Sequence, residues 1–324
     1  MPLIELDRAQ ARARFHRAPF AMKHGLAGHD LFTLPHLVAL AQSMPRDRIE
    51  YNSGKLEPGV RPENVPGIAM QAEDVIRRIE NANAWLVIKG VELNPDYRAL
   101  LRAFLTEVSN AAVPHTELFE DLQGFIFISS AGSVTPFHFD AEENILVQIR
   151  GDKYVHIFDN SDRSLVPEGS LELSPSKHRN QPYHVEFERR AEVFSLIPGD
   201  AVHIPYLWPH WVHTGDSWSV SMAMTWKTPA VRRLNKIRLI NGTLRRYGLP
   251  QPAPGLSQLG DAAKVALHDG ARLVTEPLRR SEALRRGLRG LIYEQRRQLL
   301  LPRLMITVGY SLLAAALLPQ RSAT

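Results

Sequence analysis

Two segments of the sequence contain residue types that bind divalent metal ions. The first, TPFHFD at residues 135–140, separates His138 from Asp140 by a single residue. On a β-strand these two side chains lie on one face, where both can donate lone pairs to the same ion, while Phe139 packs on the opposite face. Taken alone, such a pair is more often a strand histidine hydrogen-bonded to a neighbouring acid than a metal site. A third ligand from elsewhere in the chain is therefore needed.

The second segment, PGDAVHIPYLWPHWV at residues 198–212, supplies further histidines. By residue type, His203, His210 and the nearby His213 are all candidates for the third ligand. The chain has no cysteine, which excludes disulfides, zinc fingers, thiolate nucleophiles and cysteine-bound iron–sulfur clusters. Any metal ion would therefore be held by His, Asp and Glu side chains.

Together the two segments resemble the signatures of the cupin-like JmjC family of iron(II)/2-oxoglutarate oxygenases. The second segment has that family's Pro-Gly-Asp turn, its strand ending in Ile-Pro and its Trp-x-His-x-Val motif. The resemblance covers residues 113–228 and is strongest to the branch that contains the asparaginyl hydroxylase of hypoxia-inducible factor. It implies iron(II), 2-oxoglutarate and dioxygen as cofactor and cosubstrates. It also implies a metal triad of His138, Asp140 and His210.

Only His210 occupies the histidine position of the Trp-x-His-x-Val motif, so the rivals His203 and His213 would be strand histidines flanking the barrel mouth. We expect Phe137 and Trp208 to wall the site rather than to act in it. A triad on one face of an octahedral iron leaves room for a bidentate 2-oxo acid and for dioxygen. We expect the three donor atoms to lie within about 4–5 Å of one another even without metal, because ligands on rigid strands are largely preformed.

The resemblance implies three further side chains at the 2-oxoglutarate site. Lys153 stands where this branch keeps the lysine that pairs with the distal carboxylate, which would be costly to bury unpaired. Thr135 matches a position that offers a hydroxyl to the same carboxylate, and Asn144 matches a polar position near the cosubstrate. An exposed strand lysine and a plain turn threonine are the alternatives. A family asparagine expected just before the last core-strand tryptophan is not evident in residues 221–226.

Hydrophobic periodicity predicts a mixed α and β region followed by a β-rich core. Helical spacing occurs at residues 34–41, 72–83 and 96–108, and an apolar strand is predicted at 85–89. Residues 160–182 are predicted to form a long surface loop. Short strand-like runs separated by turn residues, typical of a barrel or sandwich, lie at residues 125–130, 144–150, 154–159, 193–197, 201–204 and 217–226.

We therefore predict a mostly β core, and the resemblance implies that it is a double-stranded β-helix. Residues 1–112 would form an N-terminal mixed segment that supports the barrel. Residues 113–228 would form the catalytic core, and residues 229–324 a C-terminal helical extension.

The extension is strongly basic. Residues 231–324 carry 17 Lys and Arg against 5 Asp and Glu, although the whole chain of 324 residues has a formal net charge of only +5. An acidic body with a basic tail differs from a uniformly basic nucleic-acid binder, so no sequence-specific nucleic-acid binding is expected. The first 20 residues show no signal peptide, and a cytoplasmic location is expected.

Residues 262–300 are predicted to form basic amphipathic helices, followed by an apolar run at residues 304–318. As a helix this run would span roughly 22 Å, short of the about 30 Å hydrocarbon core of a membrane. The favoured interpretation is that these helices pack on the barrel or mediate a homodimer. The alternatives are an interfacial anchor on anionic lipid and a tilted tail anchor.

The expected function is an iron(II)- and 2-oxoglutarate-dependent oxygenase that hydroxylates a protein side chain or a small molecule. The sequence has no G-x-S-x-G elbow, no G-x-x-x-x-G-K-[ST] phosphate loop and no H-E-x-x-H zinc helix. The alternative is a non-catalytic or 2-oxoglutarate-independent metal-binding cupin with a regulatory or interaction role. Lys153 separates the two, because a cupin that binds only metal has no need of a cation at that depth.

Overall fold

The computed structural model describes residues 2–112, 119–172 and 180–280. The chain divides into two compact units. One comprises Met1–Pro167 and Arg179–Val231, and the other Glu168–His178 and Arg232–Thr324. The predicted helices after residue 280 and the apolar run at 304–318 lie outside the described residues.

The N-terminal region mixes helices and strands, as predicted. Its helices are α1 (Arg8–Arg14), α2 (Leu34–Ser43), α3 (Ala72–Arg77) and α4 (Pro95–Ala112), and its strands are β1 (Ile4–Glu5), β2 (Phe20–His24), β3 (Ile49–Ser53) and β4 (Ala84–Lys89). The predictions for α2, α4 and β4 are confirmed. The helix predicted at residues 72–83 is shorter, because the chain leaves the helix at Arg78 and turns into β4 through Asn83, whose φ is +48°. Asparagine tolerates that left-handed conformation.

The core consists of eight further strands in two antiparallel sheets. They are β5 (Glu120–Ser129), β6 (Val134–His138), β7 (Glu143–Arg150), β8 (Lys153–Ile157), β9 (Glu192–Leu196), β10 (Asp200–Ile204), β11 (His210–Thr214) and β12 (Ser219–Lys227). The larger sheet has the order β1-β2-β10-β7-β12-β5-β4-β3, and the smaller sheet has the order β6-β11-β8-β9. This is the mostly β, double-stranded β-helix type of core that was predicted. The N-terminal strands β1 to β4 extend the larger sheet, so the region before residue 112 and the barrel form one unit.

The two faces of the larger sheet pack against different partners, because side chains alternate along each strand. Its outer face, with Ile126, Val147 and Met222, belongs to a large apolar core that also contains Leu37 of α2 and Phe104 of α4. Its inner face meets the smaller sheet in a second cluster. This inner cluster consists of Leu146, Val155, Ile157, Leu196, Val202, Ile204, Val212 and Ala223.

The described part of the segment predicted as a long surface loop, residues 160–172 and 180–182, is partly buried and partly helical. Leu165 and Val166 are buried, and a short helix, α5 (Glu168–Leu171), follows them. The spacing of these few apolar residues is too short to show a period, which is why the sequence pattern did not reveal the helix. Residues 173–179 of this segment lie outside the described residues.

The second unit contains α5, α6 (Pro229–Arg246, from residue 232) and α7 (Gln258–Arg280). Arg245 of α6 forms a two-point ion pair with the buried Glu172, at 2.6 and 3.1 Å. A Cβ on Gly242 would overlap the backbone carbonyl oxygen of Glu172, so only glycine permits this close approach. In the described part of the chain, no helix is both long and apolar enough to cross a membrane.

Candidate metal centre

Three side chains from the two signature segments meet at one end of the barrel. β6 ends at His138 and β11 begins at His210, and the strand register pairs these two residues directly. Asp140 follows in the turn after β6. One nitrogen of each histidine and one carboxylate oxygen all lie within 4.8 Å of one another, in agreement with the expected spacing. Among the described residues this is the one group of three or more such ligands.

The backbone fixes how the two imidazoles face each other. His138 Nδ1 lies 2.7 Å from the carbonyl oxygen of Pro136, and His210 Nδ1 lies 2.9 Å from that of Trp208. Because a carbonyl oxygen only accepts, each Nδ1 carries the hydrogen and donates it. The Nε2 lone pair of each ring is then free for a metal ion, as in most histidine–metal sites.

The surroundings keep the ligands in the forms that bind a metal. Burial, and then the repulsion that a second protonated imidazole beside His138 would meet, lower the pKa of His210 to about 4, which keeps the His210 imidazole neutral. Asn144 Nδ2 donates to Asp140 Oδ2 at 3.3 Å and so orients the carboxylate. The Asp140 backbone carbonyl accepts a hydrogen bond of 2.8 Å from Leu207, a residue held at a φ of +62°. A non-glycine residue in that conformation is a local constraint of the kind that accompanies functional sites.

The donor set fits a first-row divalent ion with an affinity for imidazole and carboxylate. Two imidazole nitrogens and one carboxylate oxygen converge, the donor set associated with iron(II) oxygenases. The rival histidines do not contribute. His203 Nε2 lies 3.0 Å from Glu143 Oε2, and His213 stacks on Tyr154 with ring centroids 4.7 Å apart.

Glu143 links His203 to the N-terminal region on the outer face of the larger sheet. Its second carboxylate oxygen lies 3.0 Å from Nδ1 of His16, a residue with a φ of +63° just after α1. Burial alone would raise the pKa of Glu143, but hydrogen bonds from His16 and His203 and attraction to their charges lower it to about 2. This buried cluster was not foreseen, because its three members are far apart in the sequence.

Lys153 lies inside the barrel, which excludes the interpretation as an exposed strand lysine. Its Nζ donates to Ser221 Oγ at 2.5 Å and lies 5.4 Å from the centre of the Phe127 ring. No carboxylate of the described residues is within ion-pair distance of this nitrogen, and burial lowers the pKa of Lys153 to about 7. The ammonium group is therefore available to pair with an anion that the described residues do not provide.

The other implied site residues have more varied places. Thr135 Oγ1 accepts a hydrogen bond of 3.0 Å from the indole Nε1 of Trp85. Asn144 contacts the metal ligand Asp140, and its Oδ1 is buried with no partner in the described residues. Phe137 faces away from the metal end, against Phe158 and Tyr183. It does not wall the site as expected, because its side chain alternates with that of His138.

The strand register arranges the inner face of the larger sheet in four rows across β5, β12 and β7. The first row is polar and lies beside the candidate metal centre, and the second row is apolar. The third row contacts the Lys153 ammonium, and the fourth row lies farther from the metal centre. These inner rows are Gln123, Thr225 and Asn144; Phe125, Ala223 and Leu146; Phe127, Ser221 and Gln148; and Ser129 and Ser219. Trp208 packs against the apolar cluster of this interior.

Comparison with known proteins gives one family match and several structures of one protein at low sequence identity. No curated protein matches the chain. A crystal structure of Escherichia coli ribosomal oxygenase YcfD has 15% sequence identity to this chain. The alignment covers 87% of this chain and 69% of the YcfD chain, with a TM-score of 0.47. A structure of the same protein with cobalt and 2-oxoglutarate is 16% identical over 82% of this chain and 66% of that one, at a TM-score of 0.47. A model of the cupin-like domain matches residues 33–230. Because that match spans more than half of the sequence, the chain belongs to the cupin-like domain family.

Proposed function

We propose that the chain is an iron(II)- and 2-oxoglutarate-dependent oxygenase. The observation that carries the proposal is the buried ammonium of Lys153, which has no carboxylate partner in the described residues and lies two rows below the metal centre. A ligand that spans this distance needs a metal-binding group at one end and an anion at the other. The apolar second row between them suits a short methylene chain. A 2-oxo dicarboxylic acid has these three parts in that order.

Each group of residues has a defined task in this proposal. His138, Asp140 and His210 would hold iron(II) and leave adjacent positions open. With the metal bound, one atom of dioxygen goes to succinate as 2-oxoglutarate loses carbon dioxide, and the other becomes a hydroxyl on the substrate. Lys153 and Thr135 bind the distal carboxylate. The second row packs on the methylene groups and excludes water from them.

The resemblance to the asparaginyl hydroxylase branch supports hydroxylation of a protein side chain, and a small molecule is the other substrate class. Succinate release by the iron-loaded protein should be measured with 2-oxoglutarate and with cell extract separated by size. Stimulation by the protein fraction or by the small-molecule fraction distinguishes the two. A protein that binds iron but neither binds nor consumes 2-oxoglutarate would instead be a metal-binding cupin with an interaction role.

Lys153→Met is expected to weaken 2-oxoglutarate binding while making the protein more stable without it. Loss of one charge-assisted pair corresponds to roughly 10- to 150-fold in affinity. A methionine of similar length removes a buried charge whose only hydrogen-bond partner among the described residues is Ser221. Calorimetric titration and thermal unfolding of the metal-free protein measure the two effects. An unchanged 2-oxoglutarate affinity would contradict the assignment of Lys153.

Binding of 2-oxoglutarate is expected to weaken as the pH rises above about 7. Since burial lowers the pKa of Lys153 to about 7, its amine is increasingly neutral above that pH and must take up a proton to pair with a carboxylate. Affinity should fall by up to about tenfold per pH unit between pH 8 and 9. Titrations in two buffers of different ionisation enthalpy would detect uptake of close to one proton, and Lys153→Met should show none of it.

Trp85→Phe is expected to raise the KM for 2-oxoglutarate by roughly two- to tenfold without changing kcat, because one neutral hydrogen bond is lost. The indole N–H of Trp85 donates a hydrogen bond to the hydroxyl oxygen of Thr135. The Thr135 hydroxyl can then donate its own hydrogen to the distal carboxylate of 2-oxoglutarate. Thr135→Val should have the same effect, and the double variant should add little. Trp211→Phe is the matched control, because that indole contacts Glu188 on the outside of the smaller sheet.

A further inference from the structure

We propose that the apolar run at residues 304–318 packs, within the same chain, along an exposed apolar face of α7. This face, called the α7 stripe, consists of residues that recur every three or four positions and so lie on one side of the helix. They are Leu259, Ala262, Ala263, Ala266, Leu267, Gly270 and Leu273.

Every residue of the α7 stripe is exposed. In chain order, its three leucines are 87%, 48% and 78% exposed, and its alanines and glycine are exposed as well. Single exposed leucines are ordinary, but folded proteins seldom leave a continuous apolar surface uncovered. The stripe is therefore a contact surface.

The polar side of α7, rather than its apolar side, contacts the rest of its own unit. Asp269 pairs with Lys236 of α6 at 2.8 Å, and the buried Asp261 accepts a hydrogen bond of 2.7 Å from the backbone N–H of Gly255. A surface helix normally packs by its apolar face. The outward direction of the α7 stripe indicates that another element covers it.

The small residues of the stripe suit a second helix. The middle of the stripe consists of alanines and Gly270, and a Cβ on Gly270 would meet no atom within 4 Å among the described residues. Small side chains at a contact let two helices approach closely. A glycine inside a helix weakens it, so a close neighbour gives a physical reason for this one.

The run at residues 304–318 has the composition and the length to cover the stripe. It contains no charged residue, and its leucine, isoleucine, methionine and tyrosine side chains are large where those of the stripe are small. As a helix it would span roughly 22 Å, and the stripe is roughly 21 Å long. Residues 281–303 equal α7 in number, so even as a helix they could reach back from Arg280 to either end of the stripe.

Two other occupants fit the stripe less well. A second copy of α7 would place small residues against small residues and bury little area, whereas the attached run is present at a high effective concentration. An anionic lipid surface needs basic side chains beside the apolar face. The two edges of the stripe instead carry charges of opposite sign, Lys264 on one side and Asp269 on the other.

The test replaces Leu267 of the full chain with the photo-cross-linker p-benzoylphenylalanine and identifies the product by mass spectrometry after trypsin digestion. The expected product joins residues 265–272 to residues 304–321 within one chain, so the protein keeps the mobility of a single chain on a denaturing gel. Gly270→Leu should lower its yield by about tenfold, because leucine blocks the close approach. The position is open and leucine is a better helix former, so α7 itself should persist. Arg272→Leu, on the opposite side of α7, should leave the yield unchanged.

The alternatives give different products. A cross-link between two chains would overturn the proposal in favour of a second copy. If no product contains residues 304–321, the proposal is also overturned, and flotation with vesicles of phosphatidylserine and phosphatidylcholine would then assign the stripe to lipid. An unchanged yield from Gly270→Leu would show that the contact does not use the stripe. None of these results depends on iron or 2-oxoglutarate, so the proposed function is tested separately.

Discussion

Asp140→Ala is expected to abolish 2-oxoglutarate turnover and to lower iron affinity by at least about 100-fold, because it removes the only anionic ligand of the triad. His138 and His210 would remain, each held by a backbone carbonyl, but two neutral imidazoles bind a divalent ion far more weakly than the full set. Iron content after dialysis and succinate release measure the two effects. The metal-free protein should keep its unfolding temperature, since Asp140 is half-buried and lies in a turn outside the core.

Asp159→Ala is the control for this prediction. Asp159 also follows a strand of the smaller sheet by two residues, but it is exposed and caps the turn at Ser161. This variant should bind iron and release succinate as the unaltered protein does. Retention of iron and of succinate release by Asp140→Ala would place the metal at a different set of residues.

Glu143→Ala is expected to reduce the free energy of unfolding by about 3–5 kcal/mol, the usual effect of removing one partner of a buried charged cluster. The carboxylate contacts His16 and His203 at 3.0 Å each, and the side chain is almost completely buried. Without it, two imidazoles lose their acceptor, and His16 loses the contact that holds it in a left-handed conformation. Denaturant unfolding at pH 7 measures the change.

Glu192→Ala provides a matched comparison. Glu192 pairs with Arg14, which like His16 lies near the end of α1, but the two side chains are 3.8 Å apart and about half exposed. A surface pair of this kind contributes about 0–1 kcal/mol. Equal destabilisation by the two substitutions would show that burial of Glu143 has no special role.

The stability contribution of Glu143 should disappear in acid. Because its pKa is lowered to about 2 in the folded protein from an ordinary value of 4.5, the contribution is present above pH 4.5 and is lost as the pH falls toward 2. The unaltered protein and Glu143→Ala should therefore converge in stability over that range.

The metal centre was predictable because each part of it is local in sequence. His138 and Asp140 stand two residues apart, and His210 lies within a contiguous motif. The apolar runs located six of the eight core strands, since alternation of apolar residues is visible over short windows, and the spacing of His138 and Asp140 indicated β6. The exception was β11, whose run His-Trp-Val-His-Thr alternates polar and aromatic residues too weakly to stand out.

The interior of the barrel could not be predicted, because it depends on register between distant strands. Lys153 meets Ser221, and Trp85 meets Thr135, only after β12 and β4 have paired with β5. Asn144 stays a prediction for the cosubstrate site, and its contact with Asp140 could not be foreseen because the turn between β6 and β7 sets it. No single window of sequence contains both members of any of the long-range pairs.

The unequal faces of the larger sheet limit how the chain can be shortened. Three of the four inner rows across β5, β12 and β7 contain polar side chains, so burial of that face supplies less of the driving force for folding than burial of the outer face. The outer face supplies most of it, and there the strands are covered by α2, α4 and the other N-terminal elements. A fragment excised at β5 would keep every metal ligand yet expose this apolar surface to water. We therefore expect that the barrel does not fold on its own and that a shortened protein has to keep the residues from β1 onward.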